Sequence, residues 1–188
     1  HHLYGGDNEN RLKQEMLLGI GGIRALNKMG YNSDVYHCNE GHAAFIGLER
    51  IVDLTTKFKL TYAEAKEVVR ASTVFTTHTP VPAGHDSFHI DMFRHYMGGF
   101  PAKIGLSWEE FMMLGKAREN EDHFNMSYLA CNLSQGINGV SMLHGDVSKV
   151  VLKNLYPGYM EEELAIGYVT NGVHYSTWTA PEWKEIHQ

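Results

Sequence analysis

Two imidazoles, a thiol, an amide and a carboxylate fall within one short run, His37-Cys38-Asn39-Glu40-Gly41-His42. The run lies between an apolar strand predicted over 34–37 and an apolar-periodic helix predicted over 41–54. In α/β enzymes the turn after a strand's carboxyl end is where ligand-binding groups gather. Two more polar turns of this kind follow, at Thr76-Thr77-His78-Thr79-Pro80-Val81-Pro82 and at Val169-Thr170-Asn171-Gly172-Val173-His174. Three polar turns after three apolar strands predict one shared cleft. Its chemistry suits a hydroxyl-rich neutral ligand, because His, Asn, Asp and Glu offer many directional donors and acceptors. The candidate site residues are therefore Asp7 and Asn8 near the start, Asn39, Glu40 and His42 in the first turn, His78 in the second and Asn171 in the third. Structural alternatives stand beside them: Asn39 and Glu40 as helix N-caps, His42 as a helix-start histidine, and Asn171-Gly172 as a plain turn. His85, His89, His95, His123 and His187 read as polar surface.

Rival chemistries fare worse. His37, Cys38, Glu40 and His42 supply metal-ligand types, but the spacing is neither His-Glu-x-x-His nor a Cys-x-x-Cys arrangement, and no metal is expected. No Gly-x-Ser-x-Gly elbow is present for a serine hydrolase.

The elements that must position these turns are readable from periodicity. Apolar residues at helical spacing from Asn8 to Met29 predict a long helix, with Gly30 as its C-cap. Gly19, Gly21 and Gly22 interrupt it at about 1 kcal/mol each relative to alanine, so another element is expected to approach closely, with packing on the sheet favoured over a phosphate loop. Thr61-x-x-Glu64 is a capping box opening a helix to Ser72, and Thr73 to Thr77 reads as the second strand. After the polar stretch from His78 to Ser87, helical character resumes from Ile90 to Tyr96. Ser107-x-x-Glu110 caps a short helix ending near Gly115. Phe124–Leu133 and Met142–Leu155 read as helices with Gly136–Val140 between them, Ile166–Thr170 as the last strand, and Pro181 opens a terminal helix. Strand, helix, helix, strand order predicts an α/β fold with a parallel, doubly wound, Rossmann-like sheet in a single domain over 1–188.

Composition narrows the function classes. The 188 residues, 43% apolar and 20% charged, suffice for one sizeable core. A net charge of -6 with no Lys/Arg block argues against a nucleic-acid or anionic-membrane partner. Two distant cysteines, Cys38 and Cys131, fit a reducing, cytoplasmic setting. No apolar run approaches the roughly 20 residues of a membrane span.

With these residues in view, the chain resembles the α-glucan phosphorylases (glycogen, starch and maltodextrin phosphorylases), and in particular their shorter bacterial and archaeal branch. The resemblance is carried by Leu3-Tyr4-Gly5-Gly6-Asp7-Asn8 with Arg11-Leu12-Lys13-Gln14-Glu15, by Asn39-Glu40-Gly41-His42-Ala43-Ala44, by Thr77-His78-Thr79-Pro80-Val81-Pro82, by Asn138-Gly139-Val140-Ser141-x-x-His144 and by Thr170-Asn171-Gly172-Val173. It implies a piece of the amino-terminal half of a GT-B glycosyltransferase, in which two Rossmann-like domains face each other across a cleft. The implied reaction moves a glucosyl unit from the non-reducing end of an α-1,4-glucan to inorganic phosphate, with retention, giving glucose 1-phosphate. The implied cofactor is pyridoxal phosphate, acting through its phosphate group; its Schiff-base lysine and the family's glycine-rich loop are not in this chain, which alone is expected to be inactive. By the same resemblance His78 binds the sugar's 6-hydroxyl and lends its backbone carbonyl to the cationic transition state, and Asn171 holds that hydroxyl too. Asp7 and Asn8 belong to a mobile gating loop, Glu40 and His42 line the cleft, and His144 supports its wall. A homo-oligomer of the longer chain is compatible with this reading. The alternatives kept open are a non-catalytic glucan-binding module and a nucleotide-sugar-dependent glucan synthase.

Overall fold

The computed structural model describes residues 6–186. Leu3, Tyr4 and Gly5 of the first motif, and His187, lie outside that range. Four short parallel strands form the central sheet: β1 (Tyr36–Asn39), β2 (Thr73–Thr76), β5 (Gly136–Gly139) and β6 (Ile166–Tyr168). They are ordered β1-β2-β5-β6, with β3 (Ser87–His89) and β4 (His123–Asn125) set apart as an antiparallel pair. The α/β class and the parallel sheet agree with expectation. Among the described strands the order advances in one direction, which is compatible with a Rossmann-like sheet.

Register divides the sheet into two chemically different faces. Cys38 pairs with Phe75, Phe75 with Ile137 and Ile137 with Ile166, so one row across all four strands is apolar and buried. Asn39 pairs with Thr76, Thr76 with Asn138 and Asn138 with Gly167, so the adjacent row, on the other face because side chains alternate, is polar. The apolar face is covered by residues of α3 (Phe45–Lys57), α4 (Tyr62–Ala71), α7 (Met126–Asn132) and α8 (Met142–Leu152). Phe45, Leu48, Ile51, Ala65, Val69 and Phe75 are fully buried there. Each fully buried large apolar side chain contributes about 1.5–3 kcal/mol. The β3–β4 pair carries a second aromatic layer, in which Phe93 stacks on Phe124 at 4.1 Å and on Phe111 at 6.1 Å.

Several boundaries move for physical reasons. The first strand runs over 36–39 instead of 34–37, because pairing with β2 begins at Tyr36 opposite Thr73 and carries through to Asn39. The segment 136–140 is itself a strand: Gly-Ile-Asn-Gly has weak intrinsic strand propensity and gains its form from hydrogen bonding between two neighbours. The helix predicted from Phe124 starts at Met126, since residues 123–125 pair with 87–89 and Asn125 then caps it, its Oδ1 accepting from the Ser127 and Tyr128 amides. A single helical turn over Tyr175–Trp178 was not expected. Both capping boxes form as read, with Thr61 accepting from the Glu64 amide and Ser107 from the Glu110 amide.

The long first helix is continuous but changes pitch. It is α-helical over Asn8–Met16 (α1), π-helical over Leu17–Gly21 and α-helical again over Gly22–Lys28 (α2), and Gly30 ends it at φ +80°. The expected close approach occurs at Gly19, against the start of α3 and not against the sheet. A Cβ there would lie 2.6 Å from Phe45 Cβ and 2.9 Å from the Ile46 amide nitrogen. At Gly22 a Cβ would meet nothing within 4 Å.

This contrast predicts opposite outcomes for one substitution. Gly19→Ala should destabilise by about 1–3 kcal/mol, because neither the Phe45 side-chain root nor backbone can yield. Gly22→Ala should be neutral or stabilising by up to about 1 kcal/mol. Urea unfolding midpoints of the two variants check this, and equal shifts would refute it.

Candidate active site

The three predicted turns meet at the carboxyl edge of the sheet. Asn39 ends β1, His78 follows β2 by two residues, and Asn171 follows β6 by three. The ladder continues past the strands and holds these turns together: the Glu40 amide donates to Thr76 O at 2.9 Å, Thr77 to Asn138 O at 3.0 Å and Asn171 to Val140 O at 3.0 Å. Asn39, His78 and Asn171 line one cleft of about 380 Å³ on the polar face, floored by His37, Thr76 and Asn138. The cleft expected from sequence is therefore present.

Hydrogen bonds fix the proton positions on its floor. Thr76 Oγ1 donates to Asn138 Oδ1 at 3.0 Å, so it must accept from His37, whose Nε2 lies 2.7 Å away and carries the proton. His78 Nε2 lies 2.7 Å from Asn39 Oδ1 and donates to it, because an amide oxygen can only accept. Strand alternation sends Cys38 to the opposite, buried face, where burial pushes its thiol up to about 11. No group of three or more potential metal ligands occurs among the described residues.

A second cleft, of about 240 Å³, adjoins the first and contains His42, Glu40, Arg11, His85, Asp86 and Ser127. Glu40 separates the two. It adopts φ 67° and ψ 167°, a conformation that costs a residue with a side chain on the order of 1–3 kcal/mol. His42, in the 3-10 turn Gly41–Ala43, is half-buried, and desolvation followed by the Arg11 charge lowers its pKa. Gly41 lets this turn contact α7, since a Cβ would lie 2.8 Å from Ser127 Oγ.

Asp7 and Asn8 are placed differently. Asp7 is the N-cap of α1, its Oδ1 accepting from the Asn10 amide at 2.9 Å, and both residues are exposed. One turn further along, Arg11 reaches the second cleft and grips Asp86 through both nitrogens, Nε–Oδ1 at 3.2 Å and Nη2–Oδ2 at 2.7 Å. His144 caps the wall from α8: it is buried, and its Nδ1 accepts from the Val140 amide at 3.2 Å.

Reading His85 as surface is corrected. It is 8% exposed, its Nδ1 lies 2.6 Å from Ser127 Oγ, and burial lowers its pKa. Nothing in the local sequence marks it, because its burial depends on α7, forty residues on. The Arg11–Asp86 pair was missed for the same reason. The row His37, Thr76 and Asn138 could have been found by applying strand alternation to residues adjoining the motifs.

These features define a class: a parallel-sheet α/β protein with a cleft at the carboxyl edge lined by histidines, amides, a threonine and two valines. Comparison with known proteins narrows the class. No family model matches the chain. It is 46% identical to the glycogen phosphorylase of Mycobacterium tuberculosis, 42% identical to the maltodextrin phosphorylase of Thermococcus litoralis and 32% identical to the glycogen phosphorylase of Aquifex aeolicus, over 98–99% of its own length. It is thus homologous to one stretch of the glycogen and maltodextrin phosphorylases, and spans 22% of the first two and 26% of the third.

Glu15 provides a test of the second cleft's electrostatics. It is 1% exposed, Arg11 Nε lies 3.2 Å from its Oε1 while directed at Asp86, and burial, with the Asp86 charge next, raises its pKa from 4.5 to about 9. Between those values the folded protein holds a proton that the unfolded chain has lost, so stability falls as pH rises through that window. Glu15→Gln keeps the shape, offers an N–H to Asp86 and removes the proton linkage. Its melting temperature should exceed that of the unsubstituted protein by more at about pH 8.5 than at about pH 5. The same difference at both pH values would show that Glu15 is ionised when folded.

Proposed function

We propose that the longer protein carrying this chain is an α-1,4-glucan phosphorylase, and that this stretch supplies one wall of its active cleft within a GT-B arrangement. The observation that carries the reading is the convergence of Asn39, His78 and Asn171 on a single cleft, in a chain homologous to phosphorylases along nearly its whole length. In this role His78 Nδ1 accepts from, and the Asn171 amide pairs with, a hydroxyl of the terminal glucosyl unit. Asn39 holds the His78 ring oriented through the Nε2–Oδ1 contact. Fixing the sugar's hydroxyls leaves its anomeric carbon to develop positive charge toward an incoming phosphate, and nearby carbonyl dipoles stabilise that charge without moving. Two buried free thiols are compatible with a cytosolic setting, and no described helix is long and apolar enough to cross a membrane.

Pyridoxal phosphate is the cofactor this reading implies. Neither cleft contains a lysine among its lining residues, and the one buried lysine described, Lys116, lines a separate groove beside Trp108. The residues present therefore do not fit a Schiff-base site, and the anchoring amine belongs to the remainder of the longer protein.

The test is release of glucose 1-phosphate from a maltooligosaccharide and phosphate by the full-length protein. His78→Ala should lower kcat/KM by about 100-fold or more, the scale of losing an oriented polar group at the transition state. Glucan binding without phosphorolysis would instead favour a binding module, and turnover only with a nucleotide sugar would favour a synthase.

A further inference from the structure

Glu40 is strained, lines the second cleft, and already commits one carboxylate oxygen to the turn that carries His78. Its main chain is pinned, the amide donating to Thr76 O at 2.9 Å, while φ 67° throws the side chain across to the neighbouring turn. There Oε1 accepts from the His78 backbone amide in a short hydrogen bond, and from Thr79 Oγ1 at 3.1 Å. His78 is thereby held at two points, its peptide by Glu40 and its ring by Asn39 Oδ1. A sugar hydroxyl donating to Oε1 would have to compete with two protein donors already in place. A carboxylate is the strongest acceptor available for a backbone N–H, and an aspartate, one methylene shorter, would reach less far from one turn to the other.

We propose that Glu40 is a positioning residue: it fixes the peptide and ring of His78 and acts on the transferred sugar through that histidine. This inference rests on the phosphorylase reading and adds to it a division of labour, in which Asn39 orients the ring of His78 and Glu40 its peptide. The orientation set at His78 governs both its Nδ1 and its carbonyl, so an error there is felt mainly in the transition state.

The experiment combines kinetics with amide exchange on the full-length protein. Glu40→Asp should lower kcat by about 100-fold, the cost of roughly 1 Å of misplacement, while changing KM for glucan less than about threefold. Glu40→Gln retains an acceptor oxygen at the same reach and should lose at most about tenfold. In a His78→Ala background Glu40→Asp should cost little more, because the two act as one unit. Hydrogen exchange of the peptide spanning residues 76–79 should accelerate in Glu40→Asp and much less in Glu40→Gln. Additive losses in the double variant, or a raised KM with unchanged kcat, would assign Glu40 to direct binding and overturn the proposal. Unchanged exchange would remove the clasp itself. If the unsubstituted protein shows no phosphorolysis, the functional reading fails and the catalytic role of Glu40 falls with it; exchange then reports separately on whether the clasp exists.

Discussion

Alternation of side chains along four parallel strands is the constraint on which the rest of this molecule depends. In register, one row of Cys38, Phe75, Ile137 and Ile166 enters the core, and the neighbouring row of Asn39, Thr76, Asn138 and Gly167 cannot. A slip of one residue in any strand would exchange polar for apolar groups on both faces at once. Core and cleft are thus two readings of a single register, and the apolar row stabilises the placement of the polar one. Gly139 at the end of β5 lets the start of α8 lie close: a Cβ there would come within 2.6 Å of His144 Nδ1 and 2.8 Å of the Gly145 amide nitrogen. The cleft wall and the helix that supports it therefore share the same atoms.

The buried charges follow a different logic. Arg11, Asp86 and Glu15 place two carboxyl groups around one guanidinium in a largely desolvated site. Two ionised carboxylates there would leave one negative charge uncompensated, so one group is kept neutral, and the better buried Glu15 is the one that holds the proton. The arrangement links the helix bearing Asp7 and Asn8 to the segment that follows His78. Its value is geometric, since a neutral acid beside an ion pair contributes less stability than an apolar residue of the same shape would.

What could be read from sequence was local. The capping boxes at Thr61 and Ser107, the glycine-ended first helix and the polar turns after Tyr36, Phe75 and Ile166 all declare themselves within a few residues, and all are present. Asn39, His78 and Asn171 were legible because each lies at, or within three residues of, the end of a recognisable strand. What escaped was non-local. The strand at 136–139 consists of Gly-Ile-Asn-Gly and exists because two neighbours pair with it; His85 is buried by a helix far along the chain; Arg11 meets Asp86 across 75 residues.

The polar face raises a last physical point. Parallel sheets are ordinarily covered on both faces, yet His37 and Asn39 are exposed and Asn138 only half-buried, around a cleft open to solvent. A glycosyl cation bounded by protein on one side and bulk water on the other would be captured by water, giving hydrolysis in place of transfer to phosphate. Selective transfer therefore demands a second wall, and in relatives of which this chain matches 22% there is ample further sequence to provide it. On the proposed function, this stretch contributes the half of the site that recognises sugar hydroxyls. On the same reading the anionic charge at the reacting carbon is supplied from outside this stretch, because Arg11, the one Lys or Arg among the described lining residues of either cleft, is paired with Asp86. Among the described lining residues no cation is left uncommitted, so this wall repels no cationic transition state and offers an anion no ion pair.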